Sequence, residues 1–214
     1  MKKLAALSIV LVCVLCVPAG AAVVYSQPPT DAPDPYSDLS LGPPPQVIAD
    51  DFLLDADYDI QAVHWWGYNS PIPNPDDFTI EFYEDDGTGR PTISPAHTYA
   101  AGAVAREDTG TPSGGNTTIY YYSYYLPGPL SLTGGTRYYL SIYNDVGAWA
   151  WLAGSGPNDL IYYRLGLVGV WDTGGNSHDQ AFQLTDTIIP EPLTALLFGG
   201  SVLFGLARFR RQLH

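Results

Sequence analysis

The stretch FTIEFYE, residues 78–84, has the pattern of a β-strand. Its apolar residues Phe78, Ile80 and Phe82 stand at every second position, so they share one face of an extended chain. The residues that follow, DDGTGRP, are typical of a turn because Asp, Gly and Pro favour turn conformations. The stretch therefore predicts a half-buried strand that ends in a tight turn.

The same texture continues on both sides of this stretch. From Val47 onward, short runs rich in Tyr, Val, Ile, Phe and Trp are separated by Gly, Pro, Asn and Asp, and no segment shows sustained helical periodicity. The other predicted strands are QVIADDFLL (46–54), DIQAVHWWGY (59–68), IYYYSYYL (119–126), RYYLSIY (137–143), AWAWLA (148–153), LIYYRL (160–165), LVGVW (167–171) and QAFQLTD (180–186). About nine or ten short strands predict an all-β domain of two packed antiparallel sheets, a jelly-roll or a related β-sandwich.

The N-terminal residues 1–22 are typical of a cleaved secretory signal peptide. Lys2 and Lys3 precede an apolar run from Leu4 to Val17, and small residues follow, which places the cut near Ala21 or Ala22. An uncleaved anchor is the alternative, but the run is short for a membrane span. Both cysteines lie inside the signal, so the mature protein must be held by its core without disulfides, with metal ions as an optional aid.

Residues 23–46 form the next predicted segment. SQPPTDAPDPYSDLSLGPPPQ, from Ser26 to Gln46, has seven prolines and few large apolar residues. Proline-rich chain favours extended, solvated conformations. The sequence therefore predicts a semi-rigid linker at 23–46 and a single β-sandwich domain at 47–187.

Charge narrows the classes of partner. Residues 23–190 contain four arginines, no lysine and 21 acidic residues, for a net charge of −17. Such a surface repels nucleic acid and anionic lipid headgroups. It is compatible with neutral polysaccharide, divalent cations or basic partners.

The last segment, residues 188–214, has three parts in a fixed order. They are the tripeptide Pro190, Glu191 and Pro192, the fifteen uncharged residues from Leu193 to Ala207, and a basic cluster of Arg208, Arg210 and Arg211. As a helix the uncharged run is roughly 22 Å long, against a hydrocarbon core of about 30 Å. It predicts a marginal transmembrane helix, with the arginines holding the C-terminus on the cytoplasmic side.

This order of parts resembles the PEP-CTERM sorting signal. The resemblance implies export through a signal peptidase and brief retention in the inner membrane of a Gram-negative bacterium. It also implies recognition by an exosortase, a membrane cysteine transpeptidase, with cleavage near the Pro-Glu-Pro and delivery to the cell surface or extracellular polysaccharide matrix. The blocks ADDFLL, VHWWGY, DFTIEFYEDDGTGRP, LSIYND and DQAFQL, between Ala49 and Leu184, are similar in this order to β-sandwich domains of secreted PEP-CTERM proteins. That similarity implies a fold and a location, and no activity.

Aromatic residues are the candidate ligand contacts. Trp65 and Trp66 are neighbours on a predicted strand and must face opposite sides, so at most one of them belongs to the core. Trp149 and Trp151 share a face and form either a core pair or a stacking pair. Core packing and a platform for a sugar ring are the two alternatives for each of these four tryptophans.

Acidic residues are the candidate metal ligands. A calcium ion between strand-end loops would draw on Asp50, Asp85, Asp86 or Asp145, whereas the alternative is that these are solvated turn residues. Asp55, Asp57 and Asp59 open like a calcium loop, but the required Gly and closing Glu are absent, so an EF-hand is excluded. No catalytic residue, cofactor or metal site is predicted firmly.

Two functions follow as expectations. The first is a non-enzymatic, exported surface or matrix protein that associates with exopolysaccharide in a biofilm. The second is a secreted carbohydrate-active enzyme, a glycan hydrolase or lyase. The chain has no HExxH or GxSxG element, and loss of the signal removes any cysteine nucleophile.

Overall fold

A computed structural model describes residues 22–30, 37, 39, 45–69, 76–112, 117–173 and 178–186. The signal peptide and the C-terminal sorting segment lie outside this range. The described chain forms twelve strands: β1 (Val23–Gln27), β2 (Gln46–Leu53), β3 (Tyr58–Asn69), β4 (Phe78–Glu84), β5 (His97–Gly102), β6 (Ala105–Pro112), β7 (Thr118–Leu132), β8 (Arg137–Asn144), β9 (Trp149–Trp151), β10 (Ile161–Leu165), β11 (Asp172–Thr173) and β12 (Phe182–Thr185). No helix among the described residues is long and apolar enough to cross a membrane.

The strands form two antiparallel sheets, as the sequence predicts. Sheet 1 has the order β1-β12-β3-β7-β6, and β9 pairs with β3 beyond the end of β12. Sheet 2 has the order β11-β10-β2-β8-β4-β5. The all-β, sandwich-like architecture is therefore confirmed.

The core lies between the sheets and is largely aromatic. Sheet 1 contributes Trp65 and Tyr122, whose rings stack at 5.4 Å, and sheet 2 contributes Phe78, which meets both rings edge-on. Phe52 of sheet 2 and the Phe182 ring of sheet 1 meet edge-on, with their centroids 5.9 Å apart. Such offset and edge-to-face pairs add to the free energy gained by burying apolar area.

The start of the expected linker is part of the sheet, which corrects the prediction for residues 23–46. β1 pairs with β12 along Val23–Gln27, and Tyr25 packs its ring on Phe52 and Phe182 at 5.5 and 5.4 Å. Composition misled the prediction because the seven prolines between Ser26 and Gln46 outweigh the short apolar stretch of β1. Tyr25 stabilises β1 only through its contact with the core.

Described residues after β1 also bond to the domain, and we call residues 23–30, 37 and 39 the N-terminal strap. Ser155 donates its backbone N–H to the Pro28 carbonyl at 2.8 Å, and Thr30 donates to the Ala153 carbonyl at 2.9 Å. Ser37 is fully buried and donates its hydroxyl to the Ile142 carbonyl at 2.6 Å. Proline is tolerated at a sheet edge because its missing N–H needs no partner there.

Sheet 2 is covered on its outer face as well, so FTIEFYE is buried on both faces rather than half-buried. Tyr83 is 0% exposed and Glu81 is 6% exposed. Trp171 packs against Tyr83 at 5.3 Å, and Arg164 donates to the Tyr83 hydroxyl at 2.6 Å and to Glu81 at 3.4 Å. The polar side chains on this face therefore satisfy one another under a layer of loops.

The predicted strand LVGVW is instead a loop. Leu167, Val168 and Val170 are exposed, and only Trp171 at its end is buried. Gly166 and Gly169 have φ values of +73° and +132°, which turn the chain out of the extended conformation. Apolar composition alone therefore predicted a strand where the backbone makes a turn.

Candidate functional site

The four candidate tryptophans separate into core and surface. Trp65, Trp149 and Trp151 are 0% exposed, and Trp149 and Trp151 form a core pair at 6.2 Å. A ring without exposed surface offers no face to a sugar, so the platform role is wrong for these three. Trp66 points to the opposite side of β3 and is partly exposed, which confirms that the two neighbouring tryptophans face opposite sides.

Trp66 belongs to a group of side chains on the outer face of sheet 1. Strand alternation places His64 and Trp66 of β3 on this face, together with Tyr121, Ser123 and Tyr125 of β7. The pairing register sets Trp66 opposite Tyr121 and His64 opposite Ser123. We call these five residues the aromatic face.

The rings of the aromatic face are in mutual contact. Trp66 and Tyr121 lie 4.9 Å apart between ring centroids, and His64 stacks on Tyr121 at 5.5 Å with an interplanar angle of 6°. Tyr125 meets His64 edge-on at 6.4 Å. Trp66, Tyr121, Ser123 and Tyr125 are each partly exposed, so the face presents ring surface to solvent.

His64 is the buried base of this arrangement. It is 1% exposed, and its Nδ1 lies 2.9 Å from the Ser123 hydroxyl, which also bonds to Tyr121. Burial lowers the pKa of His64 to about 4 and raises the pKa of Tyr121 to about 12. The whole face is therefore uncharged at neutral pH.

The aromatic face has the chemical groups that contact planar or sugar-like ligands. Ring faces take the apolar side of a planar or sugar-like ligand, while hydroxyl groups at Ser123 and the tyrosines make hydrogen bonds at the rim. These groups are suited to contact with a ligand.

The candidate calcium ligands are not brought together. Asp85 and Asp86 follow one end of β4, whereas Asp145 is tied to the other end through Thr79, which donates to it at 2.7 Å. Seven residues of strand separate these ends by roughly 20 Å. Among the described residues no three His, Cys, Asp or Glu side chains form a group that would hold a metal ion.

The two aspartates of the turn bond to their own loop. Gly87 donates its N–H to Asp85 at 2.7 Å, and Thr88 donates its N–H to Asp86 at 2.8 Å. Tyr139 donates its hydroxyl to Asp85 at 2.8 Å. These carboxylates therefore close the turn after β4, in agreement with the alternative that they are turn residues.

Asp50 has a different role, in the centre of the domain. It is fully buried and accepts from the Gln180 backbone N–H at 2.6 Å. The Gln27 side-chain amide, assigned in the orientation that satisfies both its oxygen and its nitrogen, donates to Asp50 at 2.8 Å. Burial, with Asp179 and Asp51 nearby, raises the pKa of Asp50 well above its usual value. Through these hydrogen bonds Asp50 of sheet 2 joins the N-terminal strap and the chain before β12 of sheet 1.

Sequence reasoning missed most of the aromatic face. It singled out Trp66 and left out His64, Tyr121, Ser123 and Tyr125. Alternation within IYYYSYYL already groups the last three on one face, and that signal was available. The register that brings them beside β3 was not, because it depends on pairing between distant segments.

The fold and the aromatic face together define a β-sandwich domain that carries a cluster of aromatic rings on the outer face of one sheet. A family model described as a domain of unknown function, DUF7901, matches residues 23–154. The chain belongs to this family. The match begins at Val23, the first residue of β1, so the N-terminal strap is part of the family's domain. No curated protein matches the chain.

Proposed function

We propose that this protein is an exported, C-terminally sorted surface or matrix protein without enzymatic activity, which associates with exopolysaccharide through the aromatic face. The observation that carries the proposal is the partly exposed contact between Trp66 and Tyr121 on an uncharged sheet surface. Aromatic rings of this kind provide large contact area at low conformational entropy cost. The alternation of the chain between the two sheets supports a jelly-roll-like wiring.

The sorting part of the proposal rests on the two ends of the chain. A signal peptide at 1–22 and the order Pro190-Glu191-Pro192, apolar run, arginine cluster support export, signal peptidase and exosortase processing, and transient inner-membrane insertion. Asp186 donates its N–H to the Ala22 carbonyl at 3.3 Å, so the described chain begins and ends at the same end of the domain.

Glycan binding is tested with residues 22–187, which hold both sheets and form a compact unit of their own. On a glycan array we expect binding without release of products. Trp66→Ala should abolish it, and Trp66→Tyr should retain part of it. Tyr163→Ala, a partly exposed ring on β10 of sheet 2, is the matched control and should bind like the wild type.

Three results would count against the proposal. Released sugar products would favour the carbohydrate-active enzyme instead. Binding that survives Trp66→Ala would move the ligand away from the aromatic face, and a complete lack of binding would leave a purely structural protein. For the sorting claim, mass spectrometry of the surface-derived protein should find no peptide from Leu193 onward, and an intact C-terminus would refute processing.

A further inference from the structure

The cations of the domain are all engaged away from the aromatic face. Residues 23–190 contain four arginines and no lysine. Arg90 donates to the Trp171 carbonyl at 2.8 Å, Arg106 pairs with Asp76 at 2.6 Å, Arg137 with Asp51 at 3.6 Å, and Arg164 with Glu81 at 3.4 Å. None of these partners belongs to the aromatic face, so no arginine is held there to pair with a charged ligand.

The border of the face carries negative charge instead. Glu107 of β6 stands opposite Tyr121 in the strand register and is exposed. A carboxylate or phosphate on a ligand that covers Tyr121 would meet this charge without a compensating cation, within a domain of net charge −17.

The face is also longer than a single contact. Tyr121 and Tyr125 are four residues apart on β7, which corresponds to roughly 13 Å along an extended strand. Ser123 lies between them and provides a partly exposed hydroxyl whose position is set by His64. The spacing of ring, hydroxyl and ring along one strand suits an extended chain better than a single sugar.

We propose that the aromatic face binds an uncharged polysaccharide laid along β7 and discriminates against polysaccharides that carry carboxylates or phosphates. This inference rests on the proposed function and names the class of glycan for the same surface. Because ring contacts and neutral hydrogen bonds form the interface, the affinity of the face for a neutral polysaccharide depends little on ionic strength.

The experiment uses matched pairs of soluble polysaccharides and residues 22–187. Neutral glucans, mannans and galactans are each compared with the same polymer after oxidation of its primary hydroxyls to carboxylates, by affinity electrophoresis or calorimetry. We expect at least one neutral polymer to bind, its carboxylated form to bind at least about tenfold more weakly, and the neutral affinity to change less than about twofold between low and high salt.

A charge reversal tests the cause of the discrimination. Glu107→Lys places a cation beside Tyr121. It should reduce severalfold the difference in affinity between the neutral and the carboxylated polymer. Glu84→Lys makes the same change at an exposed position on β4 of sheet 2, and should narrow it less.

The outcomes separate the inference from the proposed function. A carboxylated polymer that binds as tightly as its neutral parent, with binding still lost in Trp66→Ala, would overturn the inference and leave glycan binding intact. Equal effects of Glu107→Lys and Glu84→Lys would also overturn it, because net charge rather than the border of the face would then decide. If no polymer of either kind binds, the proposed function fails and the inference fails with it.

Discussion

Removing the titratable group at position 64 should abolish one acid-dependent loss of stability. His64 is held neutral in the folded protein because burial lowers its pKa from 6.5 to about 4. In the unfolded chain it takes up a proton near pH 6.5, so unfolding is favoured as the pH falls through this window. The stability that neutral His64 preserves is therefore present above pH 6.5 and is lost as the pH falls toward 4.

The magnitude follows from the two pKa values. A difference of about 2.5 pKa units corresponds to about 3 kcal/mol at pH 4. Buried acids such as Asp50 and Asp179 act in the opposite sense because their pKa values are raised by burial, so the absolute pH profile mixes both effects. The difference between wild type and His64→Asn isolates the histidine, since Asn keeps a polar atom near Ser123 and does not titrate.

The assay is urea unfolding of residues 22–187, followed by tryptophan fluorescence at pH 7.5, 6, 5 and 4. The wild-type free energy of unfolding should fall by about 3 kcal/mol relative to His64→Asn between the first and last of these pH values. His97→Asn, at an exposed position on β5, is the matched control and should leave the profile parallel to the wild type. A constant difference between wild type and His64→Asn across this range would refute the reasoning.

Three further predictions concern the strap, the sheet contact and the buried acid. Tyr25→Ala removes the aromatic anchor of β1 and should lower the free energy of unfolding by about 2–3 kcal/mol, whereas Val23→Ala, at a 49% exposed site, should change it little. Gly67→Ala places a Cβ 2.5 Å from the Trp149 ring and should cost about 2–3 kcal/mol, while Gly128→Ala meets nothing within 4 Å and should be near neutral; equal melting temperatures for the two would contradict the packing. Protonated Asp50 is compatible with burial, so its contribution to stability is present in acid and is lost as the pH rises through its raised pKa. Asp50→Asn, which stays neutral, should therefore raise the free energy of unfolding relative to wild type at neutral and alkaline pH and not in acid, as measured by chemical denaturation.

Much of the fold was predictable because its signals are local. Alternation in FTIEFYE and IYYYSYYL assigned strands correctly, and the neighbouring Trp65 and Trp66 had to face opposite sides. The turn DDGTGRP was recognised from its composition. Each of these conclusions needs only a few consecutive residues and the geometry of an extended chain.

The errors arose where burial depends on distant segments. The strand His97–Gly102 and the strand Ala105–Pro112 went unrecognised because their residues are small or polar and mostly exposed. The chain Val23–Gln27 was taken for linker because the prolines that follow dominate the composition of residues 23–46. LVGVW was taken for a strand because apolar residues outnumber the glycines that turn the chain.

The candidate site shows the same division. Trp66 was named from its sequence neighbourhood, but its partner Tyr121 lies 55 positions away and joins it only through the pairing of β3 with β7. The buried state of His64, and with it the neutral character of the face, follows from that pairing and from the side chains stacked around it.

The sequence by itself determined the all-β class, the acidic surface without lysine between residues 23 and 190, and which residues of each strand share a face. These properties depend on composition and on a two-residue period, both of which are written along the chain. Only the tertiary structure decided which sheet faces pack together, which sheet edge β1 pairs with, and which one of the four candidate tryptophans is partly exposed to solvent. Those outcomes depend on register between strands far apart in sequence, where a shift of one residue would exchange the buried and exposed faces.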